Sequence, residues 1–135
     1  MKLINGLVLI LATMLAGVGS AQAAQYWWDS DGVGANLGGS GNWDTGSSLW
    51  RTPDSTDGLT TWNNDGAQEA VFTNAGGTVT LGATKINVNT MKFIGNQQAW
   101  TFTGGTLDFG SSGGSVVVTN NDKVIINSDI IELVP

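Results

Sequence analysis

The chain has 135 residues, 20 of them glycine, with 12% charged residues, a net charge of −6, and neither cysteine nor histidine. One domain fits that length. Disulfides, thiol chemistry, the usual zinc sites and every histidine-based triad are excluded, and five basic residues are too few for a patch that binds nucleic acid or an anionic membrane.

Residues 1–23 have the plan of a secretory signal peptide. Lys2 supplies the positive start, Leu3 to Ala16 the apolar run, and Ala21-Gln22-Ala23 a small-x-small cleavage site. The run is short of the roughly 20 residues that span a bilayer. We therefore expect a mature chain that starts at Ala24 or nearby, is exported, and carries no membrane span.

Residues 24–68 read as a loop-rich cap. Tyr26, Trp27, Trp28, Trp43, Trp50 and Trp62 stand among Gly, Asp, Asn and Ser, a composition that forbids a helix. We expect these indoles to pack on the first strands. The rival reading uses Trp27, Trp28, Trp43 and Trp50 as platforms for sugar rings; the cap is preferred because a bare end of a stacked β-structure aggregates by its edge. Asp29-Ser30-Asp31-Gly32 opens like a calcium loop, but Val33 and Ser40 stand where ligands are needed, so it reads as a turn. Pro53 to Gly58 and Asn63 to Gly66 also read as turns.

Residues 69–135 read as short strands. Glu69 to Thr73 is the first clear one. Apolar residues then alternate with polar ones: Val79 and Leu81, Ile86 and Val88, Met91 and Phe93, Trp100 and Phe102, Leu107 and Phe109, Val116 and Val118. The phase slips at Asn89-Thr90, as it would where one strand turns a corner or two meet at a tight bend. Gly76-Gly77-Thr78, Gly104-Gly105-Thr106 and Gly113-Gly114-Ser115 each precede a strand, which suggests a reused turn with a positive backbone angle. Lys123 to Asn127 and Asp129 to Val134 follow, around the corner Asn120-Asn121-Asp122. Many brief strands with repeated turns fit a sandwich, a barrel or a solenoid. Asn74, Asn87, Asn89, Asn96, Asn120 and Asn127 fall at expected corners, as ladders or as ordinary turn residues.

In order, YWWDSDG, GSGNWD, a further Trp, TWNNDGAQEAVFTNAGGTVTL, INVNTMKFIG and WTFTGGTLDFG resemble the start of the passenger region of proteins with autotransporter-associated β-strand repeats. The likeness runs from Tyr26 to about Phe109. It implies a right-handed parallel β-solenoid on a secreted or surface-displayed protein, and it carries no catalytic residue. Members of that family usually run through many more repeats, so we expect a sequence truncated at its C-terminal end.

Chemistry is sparse. Most carboxylates sit in turns, and Asp108 is expected to point outward from a strand. Lys85 and Lys92 read as solvated edge charges. No Gly pair opens a helix, so there is no phosphate loop. We expect no enzyme, no metal and no cofactor. The leading expectation is an all-β, right-handed parallel β-solenoid segment with a Trp-rich N-terminal cap, the alternative a small β-sandwich. Its role is that of an exported, adhesin-like passenger segment, with cell-surface or polysaccharide ligands as partners and self-association through the C-terminal edge. The other expectations kept open are a carbohydrate-binding module and, last, a β-solenoid lyase or hydrolase using Asp108 or Arg51.

Overall fold

A computed structural model describes residues 22–33, 36–52, 58–82, 84–110 and 113–131. Residues 1–21, residues 53–57 of the turn expected at Pro53 to Gly58, and the end of the last expected strand, 132–135, lie outside the described residues. Thirteen short strands and no helix are found among those described. They are β1 (Gln25–Trp28), β2 (Gly41–Trp43), β3 (Trp50–Arg51), β4 (Leu59–Thr60), β5 (Glu69–Phe72), β6 (Gly77–Leu81) and β7 (Ile86–Asn87), then β8 (Thr90–Phe93), β9 (Ala99–Thr103), β10 (Thr106–Asp108), β11 (Ser115–Val118), β12 (Lys123–Ile126) and β13 (Asp129–Ile131).

From β5 onward every third strand joins the same sheet. One sheet runs β11-β8-β5-β1-β3-β4, the second β12-β9-β6-β2, the third β13-β10-β7. Pairing is parallel throughout, except that β3 runs antiparallel to β1 and to β4. The chain therefore makes repeated passes, visiting the three sheets in a fixed order.

Register puts like residues over one another. Phe72 lies beside Phe93, and Phe93 beside Val118. Val79, Phe102 and Ile126 form a second row, and Ile86, Leu107 and Ile130 a third. In strands every second side chain faces the same way, so these rows build one core, in which Val79, Phe93, Phe102 and Leu107 are fully buried. Phe72 and Phe93 stack with centroids 5.0 Å apart. The alternation legible in the sequence is this core. The slip at Asn89-Thr90 is a bend between β7 and β8, with Val88 buried inside it.

The steps between passes are unequal: 21 residues from Glu69 to Thr90, then 25 from Thr90 to Ser115. Corners absorb the difference. Asn74, Asn120 and Asn121 take left-handed φ near +60° there, a conformation that Asn accepts more readily than other side chains.

The recurring Gly phrase is two devices rather than one. Gly104, Gly105 and Gly113 have positive φ, as expected; Gly76, Gly77 and Gly114 do not. At Gly76 the requirement is space, because a Cβ would overlap the Ala99 carbonyl of the next pass.

Three further expectations are corrected. The first strand is β1, well before Glu69, and β1 and β2 already pair with β5 and β6. Asp108, expected to point outward from its strand, is covered there: it is buried, and its Oδ2 lies 2.5 Å from Lys85 Nζ. Lys85 and Lys92 are paired rather than merely solvated, Lys92 lying 3.7 Å from Glu69.

The two ends of the stack differ. At the N-terminal end β3 and β4 cover the edge of β1, and Asn64 covers β7: Asn87 N–H donates to Asn64 Oδ1 at 2.7 Å, and Asn64 Nδ2 donates to the Lys85 carbonyl at 2.9 Å. At the other end, no strand among the described residues lies beyond β11, β12 and β13. Val116, Val118 and Ile130, which continue the inward rows, are exposed there.

Candidate functional site

The four indoles named as sugar platforms separate. Trp28, Trp43 and Trp50 have no exposed surface. Trp50 is the hub: its ring centroid lies 5.0 Å from Trp28, 4.9 Å from Trp43 and 4.7 Å from Trp62, mostly in tilted or edge-on contacts. These are geometries that aromatic pairs favour. Trp28 Nε1 donates to the Gly39 carbonyl and Trp62 Nε1 to the Asn87 carbonyl. Sugar stacking needs an open ring face, and these rings show none. Trp27 is half-buried, one position out of phase, in a row with Val71 and Lys92.

The residues that follow Trp28 and Trp50 in the chain form an ion pair. Asp29 is fully buried. Its Oδ2 accepts from Arg51 Nε and Nη2, both at 2.7 Å, and its Oδ1 accepts from Gly32 N–H at 3.0 Å. Asp29-Ser30-Asp31-Gly32 is thus a turn, and its first carboxylate is engaged by the protein itself. Among the described residues no group of three or more acidic, His or Cys side chains could hold a metal ion. No helix among them is long and apolar enough to cross a membrane.

An open cleft of about 700 Å³ lies where the lead-in to β1 meets the corners before β5 and after β10. Ala23, Ala24, Asp65, Gln68, Asn89 and Asp108 are among its lining residues. Asp65 Oδ1 accepts from Ala67 N–H at 2.9 Å and Gln68 Nε2 at 2.8 Å, and Oδ2 from Asn63 Nδ2 at 2.9 Å. These bonds, the Ala67 one foremost, hold the Asp65 carboxyl below its usual range. Lys85, then the Gly110 N–H, does the same for Asp108. Both groups are therefore carboxylates at neutral pH. Neither is tuned upward as a proton donor, which general-acid glycoside hydrolysis requires. The cleft is an acceptor-rich surface. A second cavity, of about 570 Å³, opens among Asn74, Asn96, Gln98 and Asn120 at another corner.

Sequence reasoning missed the cleft. Asn63-Asn64-Asp65-Gly66 was legible only as a turn. The i, i+3 spacing of Asp65 and Gln68 was the one available sign that the turn carries a side-chain bond.

No family model matches the sequence, and no solved structure matches it. Across 118 residues the chain is 35% identical to the adhesin BmaC autotransporter of Brucella suis biovar 1 (strain 1330), in an alignment that takes in 84% of this chain and 3% of that protein. The chain thus spans a small fraction of its relative's length. The likeness agrees with the autotransporter resemblance of the motifs, although no model of the repeat family itself matches.

Proposed function

We propose that the chain is an exported, non-catalytic, adhesin-like segment of an autotransporter-type passenger. We read its passes as turns of a right-handed parallel β-solenoid with the Trp-rich residues 24–68 plugging one end. The observation that carries this is the fixed parallel register, pass upon pass, of Phe72, Phe93 and Val118 and the rows beside it. The likeness to an autotransporter adhesin supports it independently. A sandwich would bring sequential strands together antiparallel, which among the described residues happens only around β3.

The mechanism is physical. Each pass bonds to its neighbours through backbone groups, so the stack is stiff and its corners face outward. Those corners, and the cleft between them, are the surfaces offered to cell-surface or polysaccharide ligands. Arg51 and Asp108, on which a lyase or hydrolase would depend, are engaged by Asp29 and Lys85. We place self-association at β11, β12 and β13, beyond which no strand lies among the described residues, since unpaired backbone groups invite strand addition.

To test this reading, the full-length gene is expressed in a Gram-negative host and the protein is followed across the envelope. We expect a leaderless, β-rich product outside the cytoplasm that coats beads and makes them adhere to host cells or glycan surfaces. A product retained in the cytoplasm with its leader, or beads no stickier than uncoated ones, would refute it. A second reading, sugar stacking, rests on Trp27, the one named indole with open surface. It expects Trp27→Ala to abolish a polysaccharide-induced change in Trp fluorescence.

A further inference from the structure

The residues in front of β1 enter the same cleft as two carboxylates. Ala24 is the last residue before β1, and its carbonyl accepts the Glu69 N–H at 2.9 Å. Pairing with β5 thus begins at Ala24, and Ala23 and Ala24 both line the cleft. The other walls offer acceptors: the carboxylates of Asp65 and Asp108, and the amide of Gln68. Gln68 is only 6% exposed, and its Oε1 has no hydrogen-bond partner. The charge of Asp65 reaches the first strand, because after burial it is the next cause of the raised pKa of the Tyr26 hydroxyl. A buried acceptor without a donor is costly, and carboxylates at a concave site favour a cation.

We infer that this cleft is the seat of an ammonium group, and that its occupant is the α-ammonium of Ala24, created when the leader is removed after Ala23. The inference rests on the export reading above. Hydrolysis of the Ala23–Ala24 peptide bond adds water across it: Ala23 leaves with the new carboxylate, and Ala24 keeps the nitrogen as an amine that takes up a proton. One amide donor becomes three charged donors beside Asp65, Gln68 and Asp108, and the departure of Gln22 and Ala23 opens the space around them.

The remaining charged and titratable groups nearby are already engaged or of the wrong kind to compete. Lys85 is held by Asp108 on β10. Glu69 on β5 accepts from Gln25 Nε2 at 2.6 Å and lies near Lys92 of β8. Tyr26 on β1 stays a neutral phenol at physiological pH. Processing then completes the fold: the new terminus ties β1 to the corner ahead of β5, a tie that the unprocessed chain lacks.

A cation held by carboxylates has its pKa raised. The stabilisation is therefore complete below the amine's unfolded value and is lost as pH rises through the folded one, a window above roughly 8. For the test, the protein is exported from the full-length gene and its N-terminus is read by mass spectrometry. The α-amine is then titrated through the pH dependence of its acylation rate. We expect Ala24 as first residue and an α-amine pKa at least about half a unit above the usual 7.7–8.0. Asp65→Asn should bring it back, whereas Asp44→Asn, outside the cleft, should not. An N-terminus elsewhere would sink the processing step. Ala24 as first residue with an ordinary pKa, in the wild type or unmoved by Asp65→Asn, would overturn the seat while leaving export intact.

Discussion

Phe72 and Val118 stand in one row of the first sheet with Phe93 between them, yet Phe72 exposes nothing and Val118 exposes 45%. The same contrast runs through the other sheets: Leu107 is fully buried, while its neighbour Ile130 is 54% exposed. One end of the stack is covered by β3, β4, Asn64 and a knot of indoles. At the other, apolar side chains in the same register positions meet solvent. Burial here is a property of the neighbouring pass rather than of the residue. An inward row is worth its apolar area only where something lies over it.

That contrast can be broken most forcefully at the covered end. Trp43→Ala removes a fully buried ring that touches Trp50, Trp62 and Phe72. It should cost about 3–5 kcal/mol, read from urea unfolding by far-UV circular dichroism. Val118→Ala, in an inward row at the open end, should cost well under half as much. Equal losses would mean that something covers Val118 in solution.

Arg51→Met should also be severe, since it leaves the Asp29 carboxylate buried without its cation; about 3 kcal/mol or more is expected from the same unfolding curves. Glycines sharpen the comparison at smaller scale. Gly105→Ala puts a Cβ 2.6 Å from the Gly82 carbonyl at φ +45°, and should cost about 1–3 kcal/mol. Gly113→Ala has φ +71° but open space around it, so only the backbone term of about 1 kcal/mol applies. A thermal-melt ranking with Gly113 worse than Gly105 would contradict the packing described between passes.

Acid should act most gently. The carboxyl pKa values of Asp65 and Asp108 are lowered by their bonds, and at Asp44 the Ser47 and Gly46 bonds outweigh an upward push from burial. A depressed carboxyl contributes stability that is present above its unfolded pKa and lost as pH falls through the folded one. The unfolding midpoint should therefore hold steady at neutral pH and decline below about pH 4. The triple Asn variant should show a flatter decline.

The alternation from Val79 to Phe109 was legible because period-two burial leaves its mark on neighbouring residues. β1 to β4 were not. Trp50–Arg51 and Leu59–Thr60 are two residues long, too short to show a period, and Gly41-Asn42 has poor strand propensity. Those strands exist because β1 and β2 find ready edges in β5 and β6. That Asp108 is covered was not legible for a related reason: its partner Lys85 is 23 residues away, and only the stacking of β10 on β7 brings them together. The cleft was invisible for the same cause, since Ala24, Asp65 and Asp108 come from three different passes.

Because hydrogen bonds between passes run along the stack while the strands lie across it, tension applied along the stack would peel its passes rather than shear them. Load falls first on the pass at the pulled end, whose bonds give way one after another, and the passes behind it feel little until it has gone. On the solenoid reading proposed above, the stack would yield one pass at a time under fluid drag, lengthening instead of snapping, and optical tweezers would record a staircase of similar low-force releases. For a pull on the β11, β12 and β13 end, the indole knot at the opposite end would be the last to let go.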